Sequence, residues 1–196
     1  MNLPNRLTVL RICLVPFMVA ALLCDFLPHR FLIAGLVFGA ASLTDLFDGK
    51  IARKRNLITS FGKFADPLAD KILVISALCC FVDLRLISSV AVILVLFREF
   101  AVTSIRLAAS QNGEVISANI WGKAKTVSQM IAVIVVFVTQ YFIELCEMGI
   151  IPLLIDENML KGVYIINNVC ICISVALTLI SGIIYIKDNF KYINNM

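Results

Sequence analysis

The sequence predicts an all-α integral membrane protein: six transmembrane helices with a short N-terminal interfacial segment. Three observations lead there. Hydrophobic residues fill 61% of the 196 positions and charged residues only 15%, against about 25% charged in soluble domains. Apolar runs long enough to span recur along the chain, a span needing roughly 20 mostly apolar residues. The basic clusters fall between those runs. Mean hydropathy is +0.98. Nine Gly and five Pro exclude a collagen-like or low-complexity chain. No polar stretch is long enough for a separate soluble domain, so one membrane domain covering 1–196 is expected.

Met1 to Arg6 carries no charged run followed by a small-residue cleavage site. The first apolar run, about Leu7 to Leu27, therefore reads as a retained helix rather than a cleaved signal. Asn2-Leu3-Pro4-Asn5 before it would cap or begin a short interfacial helix. Further spans are expected over Phe31–Ala52, Asp66–Leu84, Ile87–Ala109, Ala124–Cys146 and Lys161–Lys187. Gly149 to Asn158 reads as a longer loop or a short interfacial helix. No internal repeat suggests an inverted-repeat transporter. The seven cysteines lie nearly all in apolar runs without a C-x-x-C pair, so they read as small buried hydrophobes. His29, between Pro28 and Arg30, reads as a surface-loop residue.

Charge placement sets the expected orientation. Arg6, the Lys50-to-Lys63 cluster, Lys123, Lys125, Lys187 and Lys191 fall on one side, and short loops rich in Lys and Arg stay in the cytoplasm. Asp25, Arg30, Asp83, Arg85, Glu144, Glu147, Asp156, Glu157 and Lys161 fall on the other. Both termini are then inside. Basic clusters between apolar spans point to orientation and anionic ligands, not to nucleic acid, whose binders display a basic stripe on a soluble surface.

Four aspartates resist a structural explanation. Asp45 and Asp48 lie near the cytoplasmic end of the second span, and Asp66 and Asp70 at the start of the third. A charge at a helix centre costs on the order of 2.5–3.5 kcal/mol on insertion scales, less near the interface. Four carboxylates so placed repel one another unless cations lie between them. The spacings of three and four put each pair on one helix face, and two such faces in a helix hairpin could present oxygens to hard cations such as Mg²⁺ or Mn²⁺. Gly49 and Ala52 keep that surface open. Each piece also has a bland explanation. Asp66-Pro67 would make a helix start, Asp at the N-cap and Pro at the first position, and Asp48 could pair with Lys50 or Arg53.

The run Asp45-x2-Asp48-Gly49-x2-Ala52-Arg53-x8-Gly62-x3-Asp66-x3-Asp70 resembles the signature of the CDP-alcohol phosphotransferase family at all eight fixed positions. The resemblance implies six transmembrane helices with a cytoplasmic active site. It also implies a two-metal centre, Mg²⁺ or Mn²⁺, held by Asp45, Asp48, Asp66 and Asp70, with Asp70 doubling as general base. Asp45, Asp48, Gly49, Ala52, Arg53, Gly62 and Asp66 would line the site of the CDP-linked donor. A homodimer is also implied, though no residue pattern marks its interface.

Arg98, Val102 and Arg106 share a face of the fourth span, and Glu99, next to Arg98 in sequence, is expected to point elsewhere. Arg98, Arg106, Lys123 and Lys125 would form a cationic pocket for a phosphate-bearing acceptor, although Lys123 and Lys125 could simply anchor the fifth helix. The segments Arg98-Glu-Phe-Ala-Val-Thr103-x-x-Arg106 and Trp121-Gly-Lys-Ala-Lys-Thr126, with the opening Asn2 to Arg11, are similar to the bacterial phosphatidylglycerophosphate synthase branch. That similarity covers about Met1 to Gln129 and leaves the last third as generic apolar helix. It implies CDP-diacylglycerol as donor, sn-glycerol 3-phosphate as acceptor, membrane lipid around the chain and a place in the bacterial cytoplasmic membrane. Phosphatidylserine, cardiolipin or phosphatidylinositol-phosphate synthesis, a cation transporter and a non-catalytic scaffold are the alternatives.

Overall fold

The computed structural model describes residues 3–55, 60–111 and 120–190, with side chains described except at 3–6, 45–55, 60–67, 70, 108, 110 and 111. Among the described residues the chain is all-helical: α1 (Leu3–Leu23), α2 (Arg30–Arg55), α3 (Ser60–Asp83), α4 (Ser89–Gln111), α5 (Ile120–Glu147) and α6 (Glu157–Asp188). Each helix falls on one of the six expected apolar runs, although α1 ends at Leu23 rather than Leu27 and α4 begins at Ser89 rather than Ile87. Leu3–Leu23 is a single helix, so the N-terminal segment continues into the first span instead of forming an element of its own. Helix α3 starts at Ser60. Asp66-Pro67 is therefore not a helix start; it lies inside α3, where Pro67 has no N–H to donate to the preceding turn. Residues 152–156 have no regular secondary structure and no helix forms before Glu157, so the loop reading of Gly149–Asn158 holds over its length up to that point. Asp156 caps α6, its side chain accepting from the Met159 N–H at 2.8 Å.

Among the described residues, only α5 and α6 are long and apolar enough to cross a membrane on composition alone; Leu7–Leu23 and Arg30–Thr44 are shorter apolar stretches. The charges of α2, α3 and α4 fall within the helices rather than beyond their ends, and this lowers their apolar content. The exterior is nevertheless that of a membrane protein. Phe17, Leu36, Ile93, Phe97, Phe100 and Ile183 are all exposed, an extent of apolar surface that water would not tolerate on a lone soluble domain.

The core follows from helical periodicity. Phe31, Ala34, Phe38 and Ala41 form the buried stripe of α2, and Ala69, Leu73, Ala77 and Phe81 that of α3, each spaced three or four apart so that one face turns inward. The rings of Phe38 and Phe81 both meet Phe137 of α5, centroids 5.7 and 5.1 Å away. Helix α1 packs on α2 and α3, α5 on α2 and α6, and α4 on α6. One end of the bundle, the turn end, carries the tight connections. There the Leu86 N–H donates to the Phe81 carbonyl at 2.8 Å and the Arg85 N–H to that of Val82 at 2.9 Å, a Schellman cap with Arg85 at φ +58°. The same pattern closes α5 at Gly149, φ +72°.

A buried carboxylate ties this end together across the chain. Glu144 of α5 accepts from the N–H groups of Arg30 (2.8 Å) and Phe31 (3.3 Å) at the start of α2, satisfying orphan donors where the helix dipole favours negative charge. Replacing Glu144 with Leu leaves both donors buried and unmet, and should destabilise the protein by about 1–3 kcal/mol; Glu144→Gln keeps an acceptor and should lose less. Thermal unfolding in detergent micelles checks both.

Candidate active site

The other end of the bundle, the motif end, collects the sequence-predicted site residues. The side chains of Asp45, Asp48, Gly49, Ala52, Arg53, Gly62, Asp66 and Asp70 lie outside the described residues, but their backbone is helical and its register is informative. Positions 45 and 48 continue the buried stripe 34-38-41 of α2, and positions 66 and 70 precede 73-77-81 on that of α3. Positions 52 and 62 extend the two stripes by one turn each. Helices α2 and α3 are in contact and share one core, so four acidic positions fall where two inward-facing stripes reach the motif end. Among residues with described side chains, no group of three or more His, Cys, Asp or Glu could hold a metal. The four aspartates fit a hard divalent ion by donor chemistry: oxygen donors only, from two helices in contact.

Beside the motif the structure brings together a second cluster. Glu99 of α4 is buried, and three cations surround it. Arg98 donates through Nη1 to its Oε1 at 2.9 Å, Lys125 of α5 bonds the same oxygen, and Lys71 of α3 lies 3.7 Å from Oε2. Arg98 and Lys125 are themselves only 9% and 6% exposed, so the cluster belongs to the interior. Arg98 Nη2 donates to Ser181 Oγ of α6 at 2.8 Å. Lys71 also donates to Thr103 Oγ1, whose hydroxyl donates to the Glu99 carbonyl at 2.6 Å. Three helices thus meet on one carboxylate, and α6 joins them through Arg98.

Glu99 was expected to point away from Arg98, and the structure corrects this. Neighbours on a helix diverge at Cα, but a guanidinium on a long stem swings back to a carboxylate when both are held out of water. The four expected acceptor-site cations fall into different settings. Arg98 and Lys125 converge on Glu99. Arg106 is exposed, its guanidinium 5.9 Å from the centre of the Tyr185 ring, and Lys123 is exposed at the start of α5.

Three contributors went unnoticed in the sequence. Lys71 directly follows Asp70 and could have been suspected as the sole cation on that turn. Ser181 and Gly182 belong to the stretch read as generic apolar helix, a reading the structure corrects: a Cβ on Gly182 would lie 2.8 Å from Arg98 Cγ. The small Ser-Gly pair is what admits the Arg98 stem against α6.

A family model described as CDP-alcohol phosphatidyltransferase matches residues 1–180. The chain belongs to that family. Among relatives of this family member, a Bacillus subtilis CDP-diacylglycerol–glycerol-3-phosphate 3-phosphatidyltransferase is 46% identical over 143 residues, 67% of this chain and 74% of the relative. A Rickettsia bellii protein of the same description is 32% identical over 97% of both chains. A Mycobacterium tuberculosis protein described as a probable phosphatidylglycerophosphate synthase is 41% identical over 67% of this chain and 64% of its own length. The family makes this chain an enzyme, a phosphatidyltransferase of phospholipid biosynthesis.

Gly182→Ala should force Arg98 off its path and destabilise the fold by about 1–3 kcal/mol, the usual cost of overpacking. Gly162→Ala, on the same helix with nothing within 4 Å of the added carbon, should be neutral or slightly stabilising. Melting temperatures of the two variants measured side by side check the contrast.

Proposed function

We propose that this enzyme transfers the phosphatidyl group of CDP-diacylglycerol to sn-glycerol 3-phosphate, giving phosphatidylglycerol phosphate and CMP. What supports this reading is the cation-rich cluster of Lys71, Arg98 and Lys125 around Glu99 on α3, α4 and α5, together with the helical register that sets Asp45 and Asp48 on α2 and Asp66 and Asp70 on α3 at the same end of the bundle. The first suits a phosphate monoester, the second a diphosphate with divalent ions. The names of the Bacillus and Rickettsia relatives state the same donor and acceptor.

Asp45, Asp48, Asp66 and Asp70 would hold Mg²⁺ or Mn²⁺, which when bound supplies positive charge to the diphosphate and eases the departure of CMP. Gly49, Ala52, Arg53 and Gly62 would border the nucleotide. Asp70 takes the proton from the acceptor hydroxyl. The freed oxygen forms a bond to the phosphorus that carries diacylglycerol, the bridging bond of the diphosphate breaks, and CMP leaves with its electron pair. Arg98, Arg106, Lys123 and Lys125 would hold the acceptor phosphate meanwhile. An acyl-bearing donor and a water-soluble acceptor meet most simply where bilayer and cytosol touch. This favours six spans in the bacterial cytoplasmic membrane, with the motif end and both termini facing the cytoplasm. A homodimer is part of the proposal, the exposed apolar helix faces being available for it.

CMP release from CDP-diacylglycerol and glycerol 3-phosphate tests the reading. Parent enzyme should be active with Mg²⁺ or Mn²⁺ and silent after chelation. Asp70→Asn should lose at least about 10²–10⁴-fold, the usual contribution of a general base. Product from serine or phosphatidylglycerol but not from glycerol 3-phosphate would move the enzyme to another branch of the family.

A further inference from the structure

We propose that Glu99 is a positioning residue: it presents Lys125 and Arg98 to the acceptor phosphate and, through Lys71, ties them to the helix that carries Asp70. This rests on the reading of a phosphate monoester as acceptor.

Charge counting gives the first reason. Among the described residues one carboxylate faces Lys71, Arg98 and Lys125 within 3.7 Å, which leaves two positive charges over in that largely buried group. Three cations alone would repel each other out of the interior; three with one carboxylate form a group that a dianion completes. A phosphate monoester carries about −1.5 to −2 near neutral pH, and this matches the excess.

Unused bonding capacity gives the second. Arg98 Nε is buried without a hydrogen-bond partner among the described residues, although Nη1 and Nη2 are engaged by Glu99 and Ser181. The close passage of Arg98 over Gly182 fixes the guanidinium where that N–H stays unmet. A buried donor left unmet is destabilising, and a ligand oxygen that meets it removes that cost.

Connectivity gives the third. Lys71 is bonded to α4 through Thr103 and faces Glu99, and its neighbour in sequence is Asp70. Any shift of Glu99 therefore reaches both the phosphate-holding cations and the turn bearing the general base. Glu99 touches no reacting atom in this scheme; it acts by holding the residues that do.

The test uses full-length enzyme in micelles with saturating divalent ion, varying each substrate in turn. Glu99→Gln should raise KM for glycerol 3-phosphate about tenfold or more, leaving KM for CDP-diacylglycerol within about twofold; Glu99→Asp should recover part of the loss. Lys71→Met, at a partly exposed side chain, should instead lower kcat, with a rise in acceptor KM smaller than that of Glu99→Gln. An unchanged acceptor KM in Glu99→Gln, or an equal rise for both substrates, overturns the proposal. Should Glu99→Gln fail to fold, an unchanged kcat in Lys71→Met overturns it alone. Parent enzyme inactive with glycerol 3-phosphate but active with an uncharged alcohol refutes the acceptor assignment itself, and the positioning role falls with it.

Discussion

The motif end depends on how one buried carboxylate is matched to its cations. Removing one member of a buried ion pair costs about 3–5 kcal/mol, because the charge left behind has neither water nor a partner. At Glu99 that constraint binds three helices at once, through Lys71 of α3, Arg98 of α4 and Lys125 of α5, and Arg98 extends it to Ser181 of α6. Apolar packing gives little direction to helix association in lipid, where the surroundings are as apolar as the interface. A multiply paired carboxylate does give direction. It fixes how far each helix is advanced along its axis, and so where the neighbouring aspartate turns sit.

The two ends of the bundle solve different problems with related chemistry. At the turn end, Glu144 meets backbone donors at the start of α2, and the result is a closed, satisfied cap. At the motif end, cations outnumber the described acid and a guanidinium N–H remains unmet. The aromatic contact of Phe38, Phe81 and Phe137 lies between them and holds α2, α3 and α5 in one core. A capped end and a cation-rich end joined by a packed core is an arrangement suited to catalysis at the second.

Much of this was legible in the sequence, for identifiable reasons. The helices announced themselves through apolar length, and the acidic motif through a spacing of three and four that survives in any helix. The start of α3 was misplaced because Asp66-Pro67 imitates a cap; proline is tolerated inside the helix here, and the chain reads through it from Ser60. Among the described residues, membrane crossing is plain from composition only for α5 and α6, since the charges of α2, α3 and α4 fall within those helices. Glu99 was misjudged because adjacent side chains diverge at Cα while long ones reconverge. Gly182 and Ser181 carried no visible signal in an apolar run, and their meaning appears only when Arg98 crosses them.

A double-mutant cycle between Glu99→Gln and Lys125→Met, read as unfolding free energy in micelles, tests most directly whether this carboxylate organises the motif end. A buried, bonded pair predicts a coupling energy above about 1 kcal/mol, with the double variant less damaged than the sum of the singles. Effects that add to within about 0.5 kcal/mol would mean the two groups do not depend on each other, and the account of the motif end would be wrong.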